Sequence, residues 1–195
     1  NTPISYRNWV IEGEVYNPYT PKSKDFYTTD VFTNYALDWM DQIENEKPFF
    51  LYLSYTAPHD PLMAWPKDIE KYKDRYLEGY EVIRKQRFKK QKQLGVIPKN
   101  TVLSRAEYID WDSLNTEEKA DESRTMAVYA AMIDRLDQNI GRILEKLEKQ
   151  GKLSNTLILF TSDNGGSSEV VNIPLGKGEI GTSTNWKSLG KNWAN

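Results

Sequence analysis

Apolar residues recur at helical spacing in two long stretches of the chain. The first begins at Asp30, and its apolar residues stand three or four positions apart, which predicts an amphipathic helix capped by Asp30. Its predicted core face consists of Phe32, Tyr35, Ala36, Trp39, Met40 and Ile43. The second stretch covers residues 116–150 and ends at Gly151, where a helix commonly terminates. Its predicted face consists of Met126, Tyr129, Ile133, Leu136, Ile140, Ile143 and Leu147.

The short run "FFLYLSY" at 49–55 is apolar at nearly every position, and a second, "NTLILFTSD" at 155–163, is apolar over 157–160. Such runs are typical of strands that are covered on both faces. Pro58 and Pro61 stop the first run, so the intervening His59, the sole histidine, lies in a loop. The alternation of helices and buried strands predicts an α/β fold with a mostly parallel sheet flanked by helices.

The remaining segments are more polar. A short strand is predicted near residues 9–15. Residues 66–120 are rich in tyrosine and charge, which predicts a helical surface insertion that is helical over 66–94 and broken at Gly95 and Pro98. Residues 165–195 have little periodicity and are expected to form a long loop.

Composition removes several classes of function. The 195 residues include no cysteine, which excludes disulfides, thiolate metal sites and a cysteine nucleophile. The net charge is -2, so we interpret the basic run at 84–93 as a solvated helix face and expect no nucleic-acid partner. The apolar runs are too short to cross a bilayer, so no membrane partner is expected. The chain begins without Met and ends in a glycine-rich stretch, which is typical of a segment of a longer domain.

Candidate chemistry lies where the two predicted strands end. "FTSDNGG" places Asp163 and Asn164 directly after the second strand, and His59 follows the first. Ligands of parallel sheets bind at the carboxyl ends of strands, and carboxylate and amide oxygens are the ligands that Ca²⁺ prefers. Asp, Asn and Gly are also common in turns for local reasons, and a lone histidine in a loop is often a surface residue. Taken by themselves, these residues leave both interpretations open.

The motifs taken together resemble a known family. "PFFLYLSYTAPHDP", "YAAMIDRLDQNIGRILEKLEKQGKL" and "NTLILFTSDNGG" occur in the order seen in sulfatases. The chain resembles the central segment, over residues 1–195, of an arylsulfatase-type catalytic domain of the alkaline-phosphatase-like superfamily. The resemblance implies a sulfuric ester hydrolase that acts on a sulfated small molecule or carbohydrate, in the periplasm or secreted.

The resemblance also implies roles for the three site residues. Asp163 and Asn164 match a pair that helps to hold a divalent cation, Ca²⁺ in preference to Mg²⁺. His59 matches a catalytic histidine that contacts the sulfate and helps to protonate the leaving oxygen. Such a cation polarises the sulfuryl group and stabilises the charge that develops on it.

Several parts of the family pattern are missing, among them the nucleophile. Sulfatases use a formylglycine made from a Cys/Ser-x-Pro-Ser-Arg motif, and this sequence has no such motif. We therefore expect the chain alone to be inactive, and we expect its uncovered sheet edges to cause self-association or marginal stability. Two alternatives remain: a phosphodiester or phosphonate ester hydrolase of the same superfamily, and a non-catalytic domain that binds carbohydrate or protein.

Overall fold

The computed structural model describes residues 9–16, 19, 21–44, 47–106, 109–165, 178–182 and 184. Within these ranges, two three-residue strands form an antiparallel hairpin, β1 (Trp9–Ile11) and β2 (Glu14–Tyr16), where the sequence predicted one strand. The α-helices are α1 (Thr28–Gln42), α2 (Pro66–Glu70), α3 (Tyr80–Gln93) and α4 (Thr116–Lys149). Single 3₁₀ turns occur at Trp111–Ser113 and Leu153–Asn155.

Helix α4 begins and ends where its sequence signals predict. The side-chain oxygen of Asn115 accepts the backbone N–H groups of Glu117 and Glu118, and the Glu118 carboxylate accepts the N–H of Asn115 at 2.8 Å. This reciprocal pair is a capping box. At the other end, Gly151 has φ +68°, and the next N–H donates to the carbonyl of Leu147 at 2.9 Å. The left-handed glycine therefore ends the helix as expected.

The described core lies where α1 and α2 pack on α4. Its side chains are mostly small, which allows the helices to approach closely. From α1 it includes Thr29, Thr33, Ala36 and Met40, and from α4 it includes Ser123, Ala127, Val128, Ala131, Met132, Leu136, Asn139 and Leu147. The predicted faces were only partly right: Tyr35 and Trp39 of α1 and Tyr129 and Ile133 of α4 are exposed.

A charged cluster joins the same three helices. Asp30 was predicted to cap α1, and this prediction is wrong. The helix begins two residues earlier, and the Asp30 carboxylate binds residues of other elements instead. Its two oxygens each accept a hydrogen bond of 2.7 Å from the guanidinium of Arg135, and they also accept from Asn139 at 2.7 Å and from the Trp65 indole at 3.2 Å. The carboxylate thereby fixes α1 to α4 and to the residue before α2.

The predicted buried strands at 49–55 and 155–163 are not paired in the described part of the chain. Both segments are extended, yet they form no ladder there, and their outer residues are exposed: Phe50 by 87%, Leu157 by 85% and Leu159 by 83%. The prediction that both segments are buried on two faces is therefore wrong for this structure. A strand needs neighbours for its hydrogen bonds and for its second face, and a sequence pattern does not supply them.

The first extended segment nevertheless has the alternation of a strand. Its odd-numbered residues are partly covered and its even-numbered residues are exposed. Phe49 forms an edge-to-face contact with Trp39 of α1, with 6.0 Å between ring centroids. The Tyr55 hydroxyl lies 2.8 Å from Thr33 Oγ1. One face of the segment thus packs on α1, as in a sheet with one face covered.

The region between α2 and α4 differs from the continuous helix predicted over 66–94. Turns follow α2, and α3 begins only after Gly79, whose φ is +88°. The indole of Trp111 packs on this glycine, so that an added Cβ would lie 2.5 Å from Trp111 Cγ. The glycine is therefore required by both its backbone conformation and its close neighbour. The surface-insertion boundaries, 66–120, stay a prediction.

In the ranges that the structure describes, no helix combines the length and the apolar character needed to cross a bilayer.

Replacing Gly79 by Ala is expected to destabilise the chain by about 3 kcal/mol, from the left-handed φ and the clash with Trp111 together. Gly95 is the matched control, because it also has a positive φ, +71°, but nothing lies within 4 Å of the position that an added Cβ would take. Gly95→Ala should cost only about 1 kcal/mol. Urea unfolding followed by circular dichroism measures both, and equal losses would contradict the role of Trp111.

Replacing Asp30 by Asn is expected to lower the free energy of unfolding by about 2 kcal/mol at neutral pH, because Arg135 loses the charged carboxylate that accepts its two shortest hydrogen bonds. Burial raises the pKa of Asp30, but hydrogen bonds from Arg135, Asn139 and Trp65 outweigh it and hold that pKa below 3.8. The stabilisation is thus present above about pH 4 and is lost as the pH falls through the lowered pKa.

The measurement is unfolding of both proteins between pH 2 and pH 7, with Asp25→Asn, an exposed carboxylate, as control. The difference between the unaltered chain and Asp30→Asn should shrink towards low pH. A difference that stays constant down to pH 2 would show that charge on Asp30 does not stabilise the fold.

Candidate functional site

The loop that contains His59 is fixed to one helix at both of its ends. Before the loop, the Tyr55 hydroxyl is hydrogen-bonded to Thr33 of α1. After it, the Trp65 indole donates to Asp30, also of α1. A third contact joins the Tyr27 hydroxyl, at the start of α1, to the Met63 carbonyl at 2.9 Å. Burial, which is the main cause, raises the pKa of Tyr27 to about 12, so this hydroxyl keeps its proton and donates.

His59 itself lies exposed at the tip of this loop. Its backbone N–H donates to the Thr56 carbonyl at 3.0 Å, which closes a turn. Its ring Nδ1 lies 2.7 Å from the Asp60 carbonyl oxygen, and because a carbonyl can only accept, Nδ1 is the donor. The bond orients the imidazole and assigns a proton to Nδ1.

Asp163 and Asn164 lie at the carboxyl end of the second extended segment, as predicted, and both are exposed. An Asp163 side-chain oxygen accepts the N–H of Asn164 at 3.0 Å, and the Ser162 hydroxyl donates to the Asn164 carbonyl. The adjacent carboxylate and amide supply hard oxygens, which fit Ca²⁺ or Mg²⁺. Two such ligands are fewer than either ion requires. Among the described residues, no three His, Asp or Glu side chains converge to complete a metal site.

The second extended segment is anchored at the end of α4. After the terminating glycine, the 3₁₀ turn Leu153–Asn155 redirects the chain and contacts α4. The Thr156 hydroxyl donates to the Lys152 carbonyl at 2.7 Å. The start of the second extended segment is therefore fixed by α4, while the loop of His59 is fixed by α1. The hydrogen bonds given above for the three site residues are local, so their meeting in one crevice stays a prediction.

The polar cluster that holds α1, α2 and α4 together was not predicted from the sequence. Beside the Asp30 contacts, Asp68 of α2 is buried, with Arg135 Nη1 3.8 Å and Lys71 Nζ 3.4 Å from its carboxylate oxygens. Lys71 also contacts Asp134 at 2.8 Å. A signal was present: Arg135 and Asn139 stand four residues apart on a helix beside apolar core positions. Polar residues at such positions indicate buried hydrogen bonds.

Comparison with known proteins gives the family. The Sulfatase family profile matches residues 5–189. An uncharacterized sulfatase of Schizosaccharomyces pombe is 43% identical over 160 residues, which are 80% of this chain and 29% of that protein. The chain belongs to the sulfatase family.

Other relatives agree with this assignment. An arylsulfatase of Klebsiella aerogenes is 37% identical over 142 residues, 72% of this chain and 31% of the relative. An N-acetylglucosamine-6-sulfatase of Capra hircus is 27% identical over 154 residues, 79% of this chain and 25% of the relative. The chain therefore spans less than a third of the length of these curated relatives. Membership of the family implies an α/β domain of the alkaline-phosphatase-like type and hydrolysis of sulfate esters at the level of the family.

Proposed function

We propose that this chain supplies the second half of a cation site and the sulfate-contacting histidine of a sulfuric ester hydrolase. The observation that carries the proposal is the exposed Asp163 and Asn164 pair at the end of an extended apolar segment, in a chain that matches the family over 5–189. Ca²⁺ suits the pair better than Mg²⁺, because Ca²⁺ accepts mixed carboxylate and amide oxygens in flexible geometry. The family generally uses a divalent cation and a formylglycine.

The two extended segments are proposed to be neighbouring parallel strands of the sulfatase sheet. Alternating exposure along 49–55 and the packing of its covered face on α1 support this arrangement. In a parallel sheet, both carboxyl ends lie at the same edge, so His59 and Asp163 would face one crevice. Outside the sheet, the exposed faces of both segments support the expectation that the isolated chain self-associates or is marginally stable.

The chemistry assigned to each residue follows from its donors and acceptors. Asp163 and Asn164 would bind the cation, which, when bound, draws charge from the sulfuryl oxygens. His59 already donates from Nδ1 to the Asp60 carbonyl. As the imidazolium it would also carry a proton on Nε2 and give that proton to the leaving ester oxygen. The chain contains no formylglycine motif, so these steps belong to the full gene product and the chain alone is proposed to be inactive.

The proposed substrates are sulfated small molecules or carbohydrates, and the proposed location is the periplasm or the exterior of the cell. The carbohydrate class is supported by the relative that is named for N-acetylglucosamine-6-sulfate.

Replacing Asp163 by Asn in the full gene product should weaken Ca²⁺ binding by about 100-fold or more, because a charged oxygen ligand is lost. Isothermal titration with Ca²⁺ and with Mg²⁺ measures the effect without any need for hydrolysis. Asp74→Asn removes an exposed carboxylate elsewhere and should leave affinity unchanged. Unaltered Ca²⁺ affinity in Asp163→Asn would exclude the carboxylate from the cation site.

Replacing His59 by Gln in the full gene product should lower kcat by about 10² to 10⁴, since proton transfer to the leaving oxygen is lost. The loss should be larger for an alkyl sulfate than for 4-nitrophenyl sulfate, whose leaving group needs little protonation. Steady-state kinetics with both esters provides the measurement. An equal loss with both would leave His59 as a sulfate contact without a role as the acid.

A further inference from the structure

Helix α3 has the strongest local charge in the chain. Residues 84–93 contain no acid and six cations, although the whole chain has a net charge of -2. The six are Arg84, Lys85, Arg87, Lys89, Lys90 and Lys92. The rest of the protein is thus considerably more acidic than this helix. The positive charge is thus concentrated on one element.

The structure places these cations on a helix that contributes nothing to the core. No residue of α3 is buried. The helix is attached near its beginning, where Tyr80 donates to the Glu122 carboxylate of α4 and the Arg84 guanidinium donates to Ser104 Oγ at 2.9 Å. Beyond Arg84, three lysines are exposed and Lys92 is partly covered; the exposed ones are Lys85, Lys89 and Lys90. Its pattern of charge is therefore not explained by packing.

Few of the cations are neutralised. Glu81 lies 3.7 Å from Arg84 and 3.1 Å from Lys85. Within the part of the chain that the structure describes, no carboxylate lies within 4.0 Å of Arg87, Lys89 or Lys90.

Lys85, Lys89 and Lys92 recur at steps of four and three, so they share one side of the helix. This basic stripe extends over about 10 Å. Lys92 is positioned over the Phe88 ring, with its nitrogen 4.6 Å from the ring centroid. Like charges at these spacings repel one another and destabilise a helix, so an external anion would relieve them.

We propose that this stripe of α3 binds a sulfated polysaccharide. The choice of sulfate esters as the anionic groups rests on the proposed function, since the polymer that binds would also contain the ester that is cleaved. Lysines are compact charges on flexible stems, which suit irregularly spaced sulfates better than the paired contacts used to recognise bases. Binding here would hold the polymer on the enzyme between successive cleavages and would raise its effective concentration at the site.

The test compares two triple variants of equal net charge. Lys85→Gln, Lys89→Gln and Lys92→Gln together remove the stripe, while Lys22→Gln, Lys24→Gln and Lys67→Gln remove three exposed lysines elsewhere. Gln is a good helix former, and far-ultraviolet circular dichroism should confirm that α3 persists. Heparin is the probe, titrated against the full gene product at several salt concentrations, with hyaluronate as an unsulfated polyanion and duplex DNA as a nucleic acid.

The stripe variant should bind heparin at least about tenfold more weakly at low salt, and the slope of log affinity against log salt should fall by about 2. The control variant should bind like the unaltered protein. Equal weakening in both variants, absence of heparin binding, or equal or tighter binding of hyaluronate or DNA would each overturn the proposal. Hydrolysis of 4-nitrophenyl sulfate, a small ester without a polymer chain, should be unchanged in both variants. That assay tests the proposed function separately.

Discussion

The carboxylate of Asp30 is the contact on which the described arrangement depends. It accepts two hydrogen bonds from Arg135, one from Asn139 and one from Trp65, and so joins α1, α4 and the end of the His59 loop. Four donors on one carboxylate account for its low pKa in spite of burial. Removing this group would leave the partly buried guanidinium with only the longer contact to Asp68, and would release the loop from the helix that positions it.

The elements that could be predicted are those whose signals are local. Helix α4 was predicted correctly because its capping residues and its terminating glycine act within a few residues of each end. The role of Asp30 was predicted wrongly because the competing partner, Arg135, is 105 residues away and a charged, paired hydrogen bond is stronger than a cap. The break at Gly79 was missed for a similar reason, since it depends on Trp111.

The same difference between local signals and contacts with distant residues explains which features of the candidate site were predictable. The candidates His59, Asp163 and Asn164 were chosen from motifs, and their role in one site stays a prediction; in the structure all three are exposed. The alternation along 49–55 is local, because one face of this segment packs on α1. The pairing of the two segments into a sheet was not predictable, because each strand's hydrogen bonds depend on residues far away in the chain.

A polar cluster suits the positioning of this site better than a larger apolar core would. The core between α1, α2 and α4 contains Ala36, Ala64, Ala127 and Ala131, and such small side chains permit close packing without specifying how one helix is shifted along another. Hydrogen bonds do specify the position of one helix along another, since a shift of one turn would separate Asp30 from Arg135. Among the described residues Asp68 Oδ2 is buried without a hydrogen-bond partner, which is a cost to stability. The arrangement thus gives up some stability to fix the helix that anchors both ends of the His59 loop.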